Sequence, residues 1–278
     1  MSDNIKILFL GDIVGRPGRN SVKYFLQNME ELIGYKADFV IANCENASHG
    51  FGLTEKNYRE LIEYGIDILT SGNHIWDRKE IFHYIDQAEK LVRPLNYPDV
   101  TPGKGTIVIS KDNYKVAVVN VLGRVFMEPY ESPWKLIKSE ITKLQMETPI
   151  VIVDFHAEAT AEKIAFGHYM SQLGVTALLG THTHVQTADE KILNNTTAYI
   201  TDAGYCGADN SVIGMDVNTS ISRLKSLLPV RYEIPPIENT VINAIMLTVN
   251  INNGLPLSIE RIVQHFDLKK IMDEGKLV

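Results

Sequence analysis

The sequence predicts a mixed α/β fold in one domain spanning residues 1–278, with parallel-type strand–helix units first and antiparallel hairpins added later. Three observations predict it. Short apolar runs alternate with segments of helical spacing from the first residues onward. The first run, Ile5 to Leu10, is continuous apart from Lys6, as expected of a buried strand. No repeat, low-complexity tract or long Pro/Gly/Ser linker divides the 278 residues into two self-sufficient halves.

After that first strand, Arg19 to Ile33 has helical spacing, with Val22, Phe25, Leu26, Met29 and Ile33 on one face. Phe39 to Ala42 reads as a second strand. Thr54 is placed to cap a helix carrying Tyr58, Leu61 and Ile62. Ile66 to Leu69 reads as a third strand, ending at Ser71-Gly72-Asn73-His74. Thr106 to Ser110 and Lys115 to Asn120 are β-branched runs around Lys111-Asp112-Asn113-Tyr114, the pattern of an antiparallel hairpin. Ser132-Pro133 suits the Ncap–N1 start of a helix to about Met146. A strand at Ile150 to Phe155, a helix to Leu173 and a strand at Thr176 to Leu179 follow. Further strands are expected at Ala198 to Thr201, Val241 to Ile251 and Leu257 to Val263. Tyr205 to Asp216 reads as a Gly-containing loop near the pocket or a subunit contact, and a short charged tail closes the chain.

Composition narrows the function classes. With 45% apolar and 22% charged residues the chain is that of an ordinary soluble globular protein. No uncharged apolar stretch is long enough to span a membrane, and the start lacks the basic region and cleavage site of a signal peptide. Two cysteines, Cys44 and Cys206, are too few for a disulfide framework, so a cytoplasmic location is expected. A net charge of −7 without a Lys/Arg cluster argues against duplex DNA as a partner but leaves room for a small phosphorylated substrate. Neither a dinucleotide fingerprint nor a Walker pattern occurs.

The chemistry gathers at the strand exits. Five apolar runs lead into Gly11-Asp12, Cys44-Glu45-Asn46, Gly72-Asn73-His74, His156 and Gly180-Thr181-His182-Thr183-His184. Ligands of open α/β sheets bind outside the carboxyl ends of strands, so five such exits point at one place. Each residue alone has an ordinary reading: Asp12 as a turn or cap, Glu45-Asn46 as a polar loop, Asn73 as a turn, His156 as a hydrogen-bonded core histidine. His182 and His184 stand apart, because residues i and i+2 of an extended segment project from one face. Together, Asp12, Glu45, Asn46, Asn73, His156, His182 and His184 offer three imidazoles, two carboxylates and two carboxamides. Mixed nitrogen and oxygen donors suit Mn, Fe or Zn better than Ca or Mg. Seven donors exceed the needs of one tetrahedral ion and suit two ions sharing a carboxylate, roughly 3.5–4 Å apart.

In this order the blocks resemble the calcineurin-like metallophosphoesterase superfamily. Two departures stand out: Val14 where that pattern has a histidine, and Glu45-Asn46 where it has Gly-Asp. With Gly11-Asp12-Ile13-Val14-Gly15-Arg16-Pro17-Gly18, Asn43-Cys44-Glu45-Asn46-Ala47, Asp202-Ala203-Gly204 and Ser211-Val212-Ile213-Gly214-Met215-Asp216, the chain is similar to the YmdB-like bacterial phosphodiesterase family over essentially its whole length.

The resemblance implies a four-layer α/β/β/α sandwich with two mixed sheets. It implies one ion held by Asp12, Glu45, Asn46 and His184, and a second held by Glu45, Asn73, His156 and His182. Asn46 then replaces the donor lost at Val14. His74 is left to face the substrate, protonating the leaving oxygen or stabilising charge on phosphate. A hydroxide bridging the two ions is the expected nucleophile. Two divalent ions set against two carboxylates and that hydroxide leave one positive charge, which matches a phosphodiester better than a monoester dianion. Small phosphodiesters, cyclic nucleotides of the 2′,3′- or 3′,5′-cyclic AMP type, are the implied substrates, with Mn or Fe as the metals and a homo-oligomer as the assembly. The competing readings are a phosphomonoesterase such as a nucleotidase, and a regulatory RNA-interacting protein with a structural metal site. Lesser candidates are Arg16 and Arg19 for phosphate, Asp77 and Asp154 as partners of His74 and His156, and Cys44 as an oxidisable thiol.

Overall fold

Strand β1 (Asn4–Leu10) is buried on both faces, and its side chains divide by alternation. Ile5, Ile7 and Phe9 enter one core, while Leu8 and Leu10 enter another. A strand that serves two cores needs a continuous apolar run, which is what the sequence has there. The computed structural model describes residues 3–128 and 130–277. After β1 come β2 (Asp12–Ile13), α1 (Gly15–Gln27), α2 (Met29–Ile33), β3 (Phe39–Asn43), α3 (Glu55–Glu63) and β4 (Ile68–Thr70). The middle holds β5 (Thr106–Lys111), β6 (Tyr114–Leu122), α4 (Pro133–Gln145), β7 (Val151–His156), α5 (Thr160–Gln172) and β8 (Ala177–Thr181). The remainder holds β9 (Lys191–Leu193), β10 (Thr197–Ile200), β11 (Tyr205–Ala208), α6 (Val217–Ser226), β12 (Asn239–Asn250), β13 (Pro256–Asp267) and α7 (Leu268–Asp273).

Two mixed sheets result. In the first, β1, β3 and β4 run parallel, and β12 pairs antiparallel with β1, β11 and β13. In the second, β6, β7, β8 and β10 run parallel between antiparallel edges β5 and β9. The inner faces pack on each other: Ile7, Phe9, Phe39 and Ile41 meet Val116, Val118, Ile152 and Leu179. Helices α1 and α3 cover the outer face of the first sheet through Val22, Phe25 and Leu61. Helices α4 and α5 cover the second through Ile137, Ile141, Phe166 and Met170. The order is α/β/β/α, as the resemblance implied.

Local chemistry explains most boundaries, including those that differ from expectation. The Thr54 side chain accepts the Asn57 amide and so caps α3. Pro133 occupies the first turn of α4, but the Ser132 side chain makes no cap bond. Helix α1 begins at Gly15 rather than Arg19, since Pro17 is tolerated in a first turn whose amides lack helical partners. It breaks at Asn28, whose side chain donates to the Tyr24 carbonyl, so the expected single helix is two. Strand β4 starts two residues after Ile66. Strand β11 replaces part of the expected loop after Tyr205, and α6 and α7 were not anticipated.

One feature of the first sheet positions the site. Strand β13 takes one edge of β12 along nearly its whole length, so β1 and β11 share the other. The handover occurs at Gly11, whose amide still donates to Asn243 O at 3.1 Å. A Cβ on Gly11 would lie 2.1 Å from the Gly204 carbonyl oxygen, so only glycine lets the strands cross there. Beyond the crossing Asp12 pairs with Tyr205, and its side chain is carried into the gap between the sheets' carboxyl ends.

Candidate metal centre

All five strand exits converge. Strand β1 delivers Asp12, β3 delivers Glu45 and Asn46, β4 delivers Asn73 and His74, β7 ends at His156, and β8 leads into His182 and His184. Glu45, His156 and His182 each place a donor atom within 4.8 Å of the others. Within this group His156 Nε2 lies 3.1 Å from Glu45 Oε1, 3.1 Å from Asn73 Oδ1 and 3.0 Å from His182 Nδ1. A second group adjoins it: His184 Nε2 lies 3.1 Å from Asn46 Nδ2 and 3.7 Å from Asp12 Oδ1. Glu45 touches both, since its Oε1 also accepts from Asn46 Nδ2 at 3.3 Å. The seven residues singled out from the sequence stand together in two clusters with Glu45 between them.

The imidazoles are held from outside. His156 Nδ1 bonds Thr181 Oγ1 at 2.9 Å, and that hydroxyl donates to Asp154 Oδ1 at 2.6 Å. His182 Nε2 lies 3.1 Å from Glu158 Oε2, and His184 Nδ1 donates to the Ile213 carbonyl at 2.8 Å. Each outer nitrogen thereby has its own partner, and each inner nitrogen is turned toward the carboxylates and amides of the centre. That is how metal-binding histidines are oriented by their second partners. Asp154 acts on His156 through Thr181 rather than directly. Glu158, two residues past His156 on the same exit, went unnoticed in the sequence, although its position there was the available signal.

The electrostatics call for a cation. Among the described residues, Asp12 Oδ1 and Asn46 Oδ1 are buried with no hydrogen-bond partner. Such atoms are costly unless a ligand satisfies them. Burial raises the Asp12 carboxyl, against the pull of His184 and His156. Burial acts the same way on Glu45, but His156 and His74 outweigh it and bring that carboxyl down to about 2. Burial disfavours a charged His156, yet Glu45, Asp12 and Asp154 hold its pKa up at about 9. Burial and the neighbouring His156 push His182 down to about 3, so it is neutral. Two buried carboxylates thus create a demand for positive charge at the centre, which in the metal-free chain falls on His156. The residues fit divalent metal ions.

The sequence expected His182 and His184 to share the face of an extended segment. They lie instead in left-handed backbone, with φ of 101° and 61°, and the bend after β8 aims the two rings at different clusters. Gly72 leaves the room that Glu45 and His156 need: a Cβ there would lie 2.3 Å from Glu45 Oε2 and 2.4 Å from His156 Nε2. His74 donates its backbone amide to Glu45 Oε2 at 2.8 Å, and its Nδ1 lies 2.9 Å from Asp77 Oδ2. Its ring edge meets Phe51 with centroids 5.0 Å apart. A cavity of about 290 Å³ opens over Glu45, Asn46, His74, Glu158, His182 and His184. Arg19 is committed elsewhere, to Glu60 and the Ala47 carbonyl, and Cys44 is buried with its thiol pKa raised.

A family model described as YmdB-like protein matches residues 8–262. The chain belongs to the YmdB-like family. It is 44% identical over 263 residues to the 2′,3′-cyclic-nucleotide 2′-phosphodiesterase of Bacillus subtilis, covering 95% of this chain and 98% of that one. A crystal structure of a phosphatase from Mycoplasma pneumoniae superposes with a TM-score of 0.88 at 35% identity, covering 98% of each chain. A second, of a hypothetical protein from Thermus thermophilus, gives a TM-score of 0.86 at 37% identity over 94% of this chain and 99% of that one. This YmdB-like chain is a phosphoric ester hydrolase of metallophosphoesterase type, a class that works with divalent metal ions. Among the described residues no helix is long and apolar enough to cross a membrane.

Proposed function

We propose that this YmdB-like protein is a dinuclear phosphodiesterase acting on small diesters, with 2′,3′-cyclic nucleotides as the substrate class. The observation that carries the reading is the pair of donor clusters sharing Glu45, with three imidazoles turned inward by their outer partners. Asp12, Glu45, Asn46 and His184 would hold one ion, and Glu45, Asn73, His156 and His182 the other. Their mixed nitrogen and oxygen donors favour Mn or Fe, with Zn as a third candidate. When bound, such ions supply Lewis-acid charge to phosphate oxygens and a water acidic enough to act near neutral pH.

The chain's own groups do the remaining work. Asp77 holds Nδ1 of His74, so that Nε2 is the atom that gives a proton to the leaving oxygen. Phe51 packs against the ring and limits its rotation. Gly72 keeps Glu45 and His156 in reach of each other. The cavity is the size of a small ligand rather than a duplex groove, in keeping with the chain's net negative charge. The B. subtilis relative, named for opening the 2′ ester of a 2′,3′-cyclic phosphate, supports the substrate class.

The test is hydrolysis of bis-p-nitrophenyl phosphate and of p-nitrophenyl phosphate by chelator-stripped protein, with and without added Mn²⁺. Mn²⁺-dependent turnover that favours the diester is expected. A preference for the monoester would replace this reading with a phosphomonoesterase. No turnover of either ester by folded, metal-loaded protein would replace it with a regulatory role.

A further inference from the structure

Asp202-Ala203-Gly204 contributes no donor to the centre, yet it touches both sides of it. Asp202 and Lys163 of α5 are both fully buried, with Lys163 Nζ 2.6 Å from Asp202 Oδ2. The same Nζ donates to the Thr181 carbonyl at 2.8 Å, and Asp202 Oδ2 accepts the Thr183 amide at 3.1 Å. The charged pair therefore grips the backbone on either side of His182. Asp202 Oδ1 accepts the Gly204 amide at 2.9 Å, and the Gly204 carbonyl accepts the Asp12 amide at 3.0 Å. A continuous run of hydrogen bonds thus joins Lys163 to the backbone that carries Asp12 and to the backbone that carries His182 and His184.

Two physical arguments give this run a purpose. Left-handed backbone at non-glycine residues such as His182 and His184 persists only where the surroundings over-determine it. A buried ion pair, in contrast, adds little net stability over well-packed apolar side chains of similar volume. Stability alone is a poor reason to bury Lys163 and Asp202, whereas fixing a strained loop against a neighbouring strand is a good one.

We propose that Lys163 and Asp202 are a positioning pair, setting the distance between Asp12 and the His182–His184 loop and thereby the affinity of the centre for its metal ions. The proposal rests on the metal-binding reading above. Neither residue touches an ion or the substrate; both act through the backbone.

The test measures Mn²⁺ affinity by paramagnetic resonance of free Mn²⁺ for the full chain, Lys163→Met/Asp202→Asn, Asp202→Asn alone and Glu45→Ala. The double variant removes both charges at once, so no lone charge stays buried, and an amide oxygen remains at position 202. Its dissociation constant should rise roughly 10–100-fold, the usual cost of losing an outer partner of a metal site. Its metal-free melting temperature should stay within a few degrees of wild type, and excess Mn²⁺ should restore turnover. Wild-type Mn²⁺ affinity in the double variant overturns the proposal, as does the same result in Asp202→Asn if the double variant does not fold. A weaker affinity matched by a collapse of the metal-free melting temperature also overturns it, because the pair would then be a general prop. Wild-type affinity in Glu45→Ala would instead remove the metal-binding reading itself.

Discussion

Replacing Gly72 with alanine adds one methyl group between two groups on which the proposed centre depends. The backbone at Gly72 lies outside the left-handed region, so alanine is acceptable there and the effect is steric alone. The added Cβ would lie 2.3 Å from Glu45 Oε2 and 2.4 Å from His156 Nε2, where ordinary contact begins at 3.4 Å. One or both groups must retreat by about 1 Å, and neither is free to do so. Glu45 is tied to the His74 amide, and His156 to Thr181 and through it to Asp154. Overpacking of this kind costs about 1–3 kcal/mol, or a melting temperature lowered by several degrees in a chain of this size. A displacement of about 1 Å in a catalytic group costs on the order of 10²-fold in rate. The assay is kcat/KM on bis-p-nitrophenyl phosphate at saturating Mn²⁺, beside a thermal melt that reports the folded fraction. A folded Gly72→Ala protein with turnover within threefold of wild type and unchanged Mn²⁺ affinity would refute the placement of Glu45 and His156 at the centre.

Other consequences follow from the same geometry. His74→Ala should lower kcat by about 10²–10⁴-fold on a substrate with an alkoxide leaving group. It should do so much less with p-nitrophenolate, which departs without a proton, and equal losses on both would exclude the acid role. Chelation should lower the melting temperature, since ligand at one hundred times its Kd adds about 2.7 kcal/mol, or roughly 5–10 °C here. Glu45→Ala should abolish that shift in differential scanning fluorimetry. Phe166 is fully buried on α5 and stacks on Phe155 at 4.3 Å, so Phe166→Ala should cost about 3–5 kcal/mol in denaturant unfolding. Its kcat/KM per folded molecule should stay at the wild-type level, because the side chain lies on the outer face of the second sheet.

What could be read from the sequence was whatever local chemistry determines. The buried parallel strands announced themselves as apolar runs, and the donors at their exits were legible because parallel strands deliver their carboxyl ends to one side. Asp12, Glu45, Asn46, Asn73, His74, His156, His182 and His184 were all singled out in that way, and the structure brings them together. What escaped depends on partners distant in sequence. Strand β11 looked like loop because Tyr205–Ala208 forms a strand only where β1 leaves the edge of β12. Helix α6 leaves Ile221 and Leu224 exposed, so its apolar residues did not trace a buried stripe. The bend at His182 and His184 could not be read from i and i+2 spacing, because the groups bonded to its backbone, Lys163 on the Thr181 carbonyl and Asp202 on the Thr183 amide, come from distant parts of the chain. Glu158 stood at the same exit as His156, but its partner His182 lies on another strand's exit and is met only through the turn after β7.

The measurement that bears most directly on the central claim is the rate of 2′,3′-cyclic AMP hydrolysis as a function of Mn²⁺ bound per chain, starting from metal-free protein. Two donor clusters sharing Glu45 predict negligible turnover at one equivalent or less, full turnover near two, and a product that retains its phosphate as a 3′-monoester. Full activity at one equivalent or in metal-free protein, or no hydrolysis at two, would contradict the dinuclear phosphodiesterase.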